Sequence, residues 1–311
     1  MKKIILPLIL ILLGNCNDKE VDFNPKAIVI VRMGDVKAGG RVLALSDEIS
    51  DKDVVTVGAK SICDLQILES DSLVVVRLKE YSRFKLSGKQ IGSKKETNFI
   101  LEVGNAMINV SKLEKNDGIN AVSPVATAGV RGTKYDVSVN QNGTTKINVI
   151  EGSVAMKVHI PEMDKYSKAD IKNSKALSIL NDSLESKEVV IEKGHSSEMP
   201  KGVGSKIFKE SGLEEAAKKN KPEDLDKNVD IKALDDKIEK VENEELKVPV
   251  KEIDKGTMGQ RLKEYDELTP IEKETINDKS KRKAIIQARF QKWEKSWLDR
   301  LLDWTKKIKI P

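Results

Sequence analysis

The chain has 311 residues, of which 34% are charged and only 4% aromatic, so its core must be aliphatic and much of its surface heavily solvated. Its 55 basic and 50 acidic side chains leave a formal charge of +5, a near balance that argues against a dedicated nucleic-acid binder with its large, clustered basic excess. The length suits one sizeable domain with extensions, or two domains, and after Leu13 no apolar run is long enough for a transmembrane helix.

Met1 to Cys16 reads as a secretory signal: Lys2 and Lys3 form a positive start, and Ile4 to Leu13 an apolar run too short for a permanent span. Leu13-Gly14-Asn15-Cys16 resembles a lipobox, in the relaxed form of spirochaetes, since Asn15 is larger than the strict pattern prefers. The expectation is a signal peptide over 1–15, a lipidated Cys16 and a tether over 16–26. Acylation supplies the paired chains that stable membrane attachment needs, with the protein facing the periplasm or the cell surface and the outer membrane favoured. Cys63 is then the one thiol left, which excludes an internal disulfide in the mature chain and reads as a buried structural cysteine.

From Ala27 to Lys89 short strand candidates recur between turn formers: Ala27–Val31, Val42–Leu45, Val54–Val57, Ser61–Leu68, Leu73–Leu78 and Ser82–Leu86. Thr97–Val103 and Ala106–Ser111 flank Gly104-Asn105 and predict a hairpin. The stretch Ser123–Val158 is the most strongly patterned. Tyr135, Val137 and Val139 alternate with Asp136 and Ser138, Ile147 and Val149 alternate with Lys146 and Asn148, and Asn142-Gly143 between them fits a tight turn. After Glu151-Gly152 a third run places Val154, Met156 and Val158 on one face, which predicts a three-stranded meander. Val130-Arg131-Gly132-Thr133 precedes it; Arg131 invites anion binding, or satisfies carbonyls at a bend with its five donors.

These residues carry a resemblance. SPVATAGVRGTKYDVSV, NGTTKINVIEGSVAM and KEVVIEKGHSSEM are similar to the FecR domain of bacterial periplasmic regulators and lipoproteins, and the upstream run from Gly34 matches more loosely, so that the likeness spans roughly 27–200. It implies a mainly β, twisted solenoid-like domain, in which Val130, Arg131, Gly132, Thr133, Tyr135, Asn142, Gly143, Glu151 and Gly152 are the family motif with a structural role. In FecR regulators a cytoplasmic segment and a transmembrane helix precede the domain and a signal is relayed from an outer-membrane receptor. A lipidated Cys16 would place this chain outside the cytoplasm.

Pro161 to Ser186 interrupts the β pattern with helical spacing of Ile171, Leu177, Leu180 and Leu184, a helical insertion over about 162–186 and a candidate recognition element. Residues 201–256, dense in Lys, Glu and Asp, read as a mobile charged linker. Thr257 with Gln260, and Thr269 with Glu272 behind Pro270, fit helix starts of a C-terminal helical segment over 257–311. In its last helix Ile286, Phe290, Trp293, Trp297, Leu301, Trp304 and Ile308 form one apolar stripe. The stripe fits packing on the body, self-association, or a membrane interface, and Phe290, Trp293, Trp297, Leu301 and Trp304 are the candidate interaction face.

His159 and His195 are the only histidines and lie in no metal-ligand spacing, and no phosphate loop or nucleophile elbow occurs. The reading is of a protein that is not an enzyme and takes no cofactor and no metal. It is expected to be a membrane-anchored binding lipoprotein of the cell envelope with a protein, glycan or peptide partner. The alternatives are a sensory component linked to iron or siderophore uptake, and a surface structural or adhesion lipoprotein.

Overall fold

The computed structural model describes residues 20–68, 70, 72–130, 132–219, 222–246 and 248–307; the segment bearing Cys16, and Arg131, lie outside the described residues. The first strands are β1 (Glu20–Asp22), β2 (Lys26–Met33), β3 (Val36–Ala38), β4 (Arg41–Val42), β5 (Glu48–Ile49), β6 (Val54–Val57), β7 (Ile62–Leu68), β8 (Leu73–Leu78) and β9 (Arg83–Ile91). Then come β10 (Lys94–Lys112), β11 (Asp117–Val122), β12 (Ala126–Val130), β13 (Lys134–Val139), β14 (Thr145–Glu151) and β15 (Ser153–Val158). Helices α1 (Lys168–Asn173) and α2 (Lys175–Ser186) precede β16 (Val189–Glu192) and β17 (His195–Met199). The remainder is α3 (Val203–Glu210), α4 (Leu213–Lys219), α5 (Ile231–Glu245), β18 (Val250–Glu252), α6 (Lys255–Glu267), α7 (Lys273–Asn277) and α8 (Arg282–Lys307).

The strands pair into two sheets. The first runs β4-β3-β6-β9-β10-β11-β12-β15-β16, with β1 beside the far end of β9. The second runs β5-β2-β7-β8-β10-β13-β14-β17-β18. The first sheet ends at β4 and β16 and the second at β5 and β18, so both are open. Among the described residues all pairings but β10–β11 are antiparallel, whereas stacked solenoid coils pair in parallel. The body is therefore mainly β with C-terminal helices, and its solenoid character is not confirmed. Alternate residues of both sheets, among them Val29, Leu65, Val76, Phe84, Phe99, Tyr135, Val149 and Met156, fill the core between them.

Strand β10 corrects one expectation. Gly104-Asn105 is no hairpin turn but a bend inside one strand of 19 residues. It lies on β9 as far as Val103 and on β13 from Gly104, so it passes from one sheet into the other. The physical cause is local: Gly104 has φ +103, and the Ser82 hydroxyl accepts from Asn105 N at 3.0 Å and donates to Asn105 O at 3.1 Å. A second correction concerns the meander. Strands β13 and β14 form the hairpin about Asn142-Gly143, with Gly143 at φ +90. Strand β15 instead crosses at Gly152, φ +79, to pair with β12 and β16 in the other sheet.

The charged segment is the third correction. In place of a mobile linker over 201–256 stand α3, α4 and α5, which bury Val203, Ile207, Phe208, Leu213, Leu234, Ile238 and Val241 in the main core. Apolar residues are sparse there, but at helical spacing a narrow stripe suffices to seat each helix while the charges stay in water. Among the described residues helix thus reaches 34% against 38% strand, more than a charged linker would allow. The insertion after β15 is helical, and Asp226 accepts from Ser174 Oγ and from the N–H groups of Lys175 and Ala176, closing the start of α2.

Helices α6 to α8 cover the outer face of the second sheet. Ile28, Ile30, Leu68, Val75, Met107 and Ile150 from the sheet meet Tyr265, Leu268, Ile271, Ile276 and Ile286 in a separate apolar core. Two helix starts are displaced from their expected places. Asp254, accepting from Thr257 N at 2.9 Å, caps α6 in place of Thr257. Helix α7 begins only at Lys273, because both backbone groups of Ile271 are held by Gln66, which leaves Pro270 in the irregular stretch between α6 and α7.

Candidate functional site

The outer face of the second sheet should be wet by its alternation: Asp64, Gln66, Arg77, Asn109 and Asp136 all point away from the main core. They are buried nonetheless, Asp136 completely, because α6 and the turn after it lie over them. Register places Asp64 opposite Arg77, Arg77 opposite Met107, and Met107 opposite Asp136, one row across four strands.

Each polar group in the row finds a partner. Arg77 donates from Nε and Nη2 to the two Asp64 oxygens at 2.8 Å each, a bidentate pair with both side chains almost wholly buried. Burial opposes the Arg77 charge, but Asp64 prevails and raises its pKa above the ordinary guanidinium range. On α6, Arg261, Glu264 and Tyr265 share one face by their spacing of three and four. Arg261 Nε lies 2.9 Å from Asp136 Oδ2, Tyr265 Oη donates to Asp136 Oδ1 at 2.9 Å, and Lys79 Nζ donates to Glu264 at 2.7 Å. Burial raises the pKa of Asp136, with Arg261 and Tyr265 pulling the other way. Glu264, less enclosed, is held below the usual carboxylate range by Lys79 and Arg261 in spite of burial. Gln66 and Asn109 bond backbone groups of Ile271 and Leu268, so that even the turn is pegged to the sheet.

Beside this network α8 and the sheet enclose a groove of about 710 Å³. Met33, Ile62, Trp293 and Trp297 supply its apolar lining, and Lys60, Arg77, Lys79, Glu80, Glu264, Glu267 and Arg300 its polar lining. Arg300 pairs with Glu267, and Phe290 stacks on Trp293 with centroids 5.9 Å apart. Trp293 is 9% exposed and its Nε1 has no hydrogen-bond partner. A mostly apolar concavity of this size with polar groups at its border is what ligand and peptide sites present. The Trp face of α8 therefore turns in part toward the body: Ile286 and Trp293 are buried and Phe290 and Trp297 half-buried, while the side chains of Leu301 and Trp304, and Ile308 as a whole, lie outside the described residues. Among the described residues the exposed large apolar side chains of α8 are Ile285, Leu298 and Leu302, off the expected stripe.

The family motif is not gathered into this groove. Thr133 Oγ1 donates to Ser153 O at 2.9 Å, Asn142 Oδ1 accepts from Thr144 N at 2.8 Å, and Glu151 pairs with Lys134 at 2.9 Å. Val130 and Tyr135 are core residues, and a Cβ on Gly152 would sit 2.7 Å from Gly132 O. Among the described motif residues, Gly132, Thr133, Asn142, Gly143 and Gly152 belong to turns and bends, and Val130, Tyr135 and Glu151 to the strands beside them. Cys63 is buried, and burial first, then Asp64, pushes its thiol far up, away from a reactive thiolate. Among the described residues no group of His, Cys, Asp or Glu could hold a metal ion.

Sequence reading missed Asp64, Arg77, Asp136, Arg261, Glu264 and Tyr265. One sign was available: opposite charges at Asp64 and Arg77 in consecutive strands, each flanked by aliphatics, are unusual for a solvated face.

Residues 53–155 match the family model described as FecR protein, which bears out the resemblance over that stretch. No curated protein matches the chain. Among solved structures, a crystal structure from Parabacteroides distasonis, provisionally described as an anti-sigma factor, aligns at 13% identity with a TM-score of 0.32. The alignment covers 48% of this chain and 55% of that one, so the chain spans little more than half of that relative.

Proposed function

We propose that this chain, which carries a FecR match over residues 53–155, is a non-enzymatic envelope lipoprotein anchored through Cys16 that binds a partner protein in the groove beneath α8. The observation that carries the reading is the apolar concavity formed by Trp293 and Trp297 against Met33 and Ile62, on the sheet that contains the matched strands β7 and β8. An apolar side chain or short apolar segment of the partner would fill it, and the charged border would set its orientation.

The match to FecR also favours a narrower reading, in which the partner passes on a signal, as regulators of that family do. To test both, a photoreactive amino acid is placed at Trp297 of the full chain in cells, followed by crosslinking and mass spectrometry. One envelope protein should be captured, and a Trp293→Ala change should reduce its yield. Products confined to lipid, or a yield indifferent to Trp293, would remove the partner reading. Capture of an outer-membrane receptor or a membrane regulator would support relay; an envelope protein of neither kind would leave binding and overturn relay.

A further inference from the structure

A second cleft lies on the opposite side of the body, where α1, α2 and the turn before them stand over the outer face of the first sheet. It encloses about 380 Å³. From its floor a hydrogen-bonded row runs outward by register: Asn98 Nδ2 donates to Ser87 Oγ at 3.4 Å, and Asn120, which lines the adjoining depression on the same sheet, donates from Nδ2 to Asn98 Oδ1 at 3.0 Å. Beside the row lie Ile100 and Val122, and Asn181 faces it from α2. Tyr166 lines the cleft at 6% exposure, and its hydroxyl has no hydrogen-bond partner. A buried polar atom left in this state is what a bound polar molecule or water satisfies.

Charge narrows the occupant. Each lysine that lines the cleft already has a carboxylate: Lys89 with Glu20 at 2.6 Å, Lys168 with Glu96 at 3.2 Å, and Lys157 with Glu185. His159 spans Ser123 O at 2.7 Å and Asp164 at 2.9 Å. An anionic ligand would have to break these pairs. An extended peptide adding as a strand needs an open edge, and this is a sheet face whose backbone groups are spent on β9, β11 and β12. What the cleft still offers is neutral: amides and hydroxyls with capacity for further bonds, beside an aliphatic patch. We infer that the cleft between the helical insertion and the first sheet binds a neutral oligosaccharide, whose hydroxyls meet the Asn98–Asn120 row and whose ring faces lie on Ile100 and Val122. The row continues past Asn120 to Gly129, where no side chain rises, so a chain of several sugars has room to follow it.

The test is calorimetric titration of the full chain with maltohexaose, cellohexaose and chitohexaose, with a heparin hexasaccharide as the anionic comparison. At least one neutral hexasaccharide should bind, and Asn98→Ala on the sheet floor and Asn181→Ala on α2 should each weaken it about tenfold with the thermal midpoint unchanged. Should Asn98→Ala lower the midpoint, Asn181→Ala alone decides. No heat from any of the three at about 10 mM, binding unaffected by Asn181→Ala, or tighter binding of the heparin fragment would each overturn the inference. None of these outcomes bears on the groove beneath α8.

Discussion

At the scale of single residues, the buried charges of the second sheet are the most exacting part of the molecule. Removing one partner of an enclosed ion pair costs more than the pair contributes, because the other charge is left without solvent. Asp64→Ala should therefore lower stability by about 3–5 kcal/mol in urea unfolding, and the double change with Arg77→Met should recover much of that loss. Indifference to Asp64→Ala would mean that water reaches Arg77. Asp136 titrates in the opposite sense to an ordinary ion-paired carboxylate. Burial raises its folded pKa above the unfolded 3.8, so its contribution is complete below 3.8 and is lost as pH rises through the raised folded value. Asp136→Asn abolishes that dependence. The stability of the wild type relative to this variant should thus fall as pH rises over that window, and a rise would show that Arg261 outweighs burial.

At the scale of elements, β10 joins the two sheets through its bend, and the bend depends on a missing side chain. A Cβ on Gly104 would lie 2.4 Å from Ser82 Cα, on backbone that cannot move away, at a φ of +103. Gly104→Ala should cost roughly 2–3 kcal/mol by thermal unfolding. Gly39 also has positive φ, +55, but nothing lies within 4 Å of its Cβ position, so Gly39→Ala should cost only the backbone strain, about 1 kcal/mol. Equal costs would show that the close approach to Ser82 contributes nothing. Helix α8 follows a similar logic: its apolar stripe is legible at any position, but which part is covered depends on how far the sheet extends beneath it.

Across the whole molecule, the C-terminal helices behave as a third layer. Ending the chain after Ile253 would uncover Ile28, Ile30, Val75, Met107 and Ile150 together with the charges of Asp64, Arg77 and Asp136. The truncated protein should bind a hydrophobic dye strongly and melt well below the full chain. A truncation with unchanged melting and no dye binding would mean that the layer is an appendage. The same layering places the groove beneath α8 at the seam between the FecR-matched strands and the C-terminal segment, so a partner bound there touches both.

The amino-acid sequence by itself determined the local structure: the strands β7 and β8 between their turn formers, the alternation of β13, the hairpin at Asn142-Gly143, the helical insertion and the Trp stripe of α8 all follow from spacing and turn chemistry within a few residues. It also carried the FecR resemblance, because that pattern is itself a run of local turns and strands. Only the tertiary structure decided which surfaces are covered. Alternation states that Asp136 and Tyr135 face opposite ways, and cannot state that α6, more than a hundred residues later, will bury the polar face as deeply as the apolar one. For the same reason Gly104 reads as a turn until Ser82 is seen beside it, and 201–256 reads as a charged linker until a core is present to receive its sparse leucines and isoleucines. Burial is a property of pairs of segments, and a single stretch of chain records only its own half.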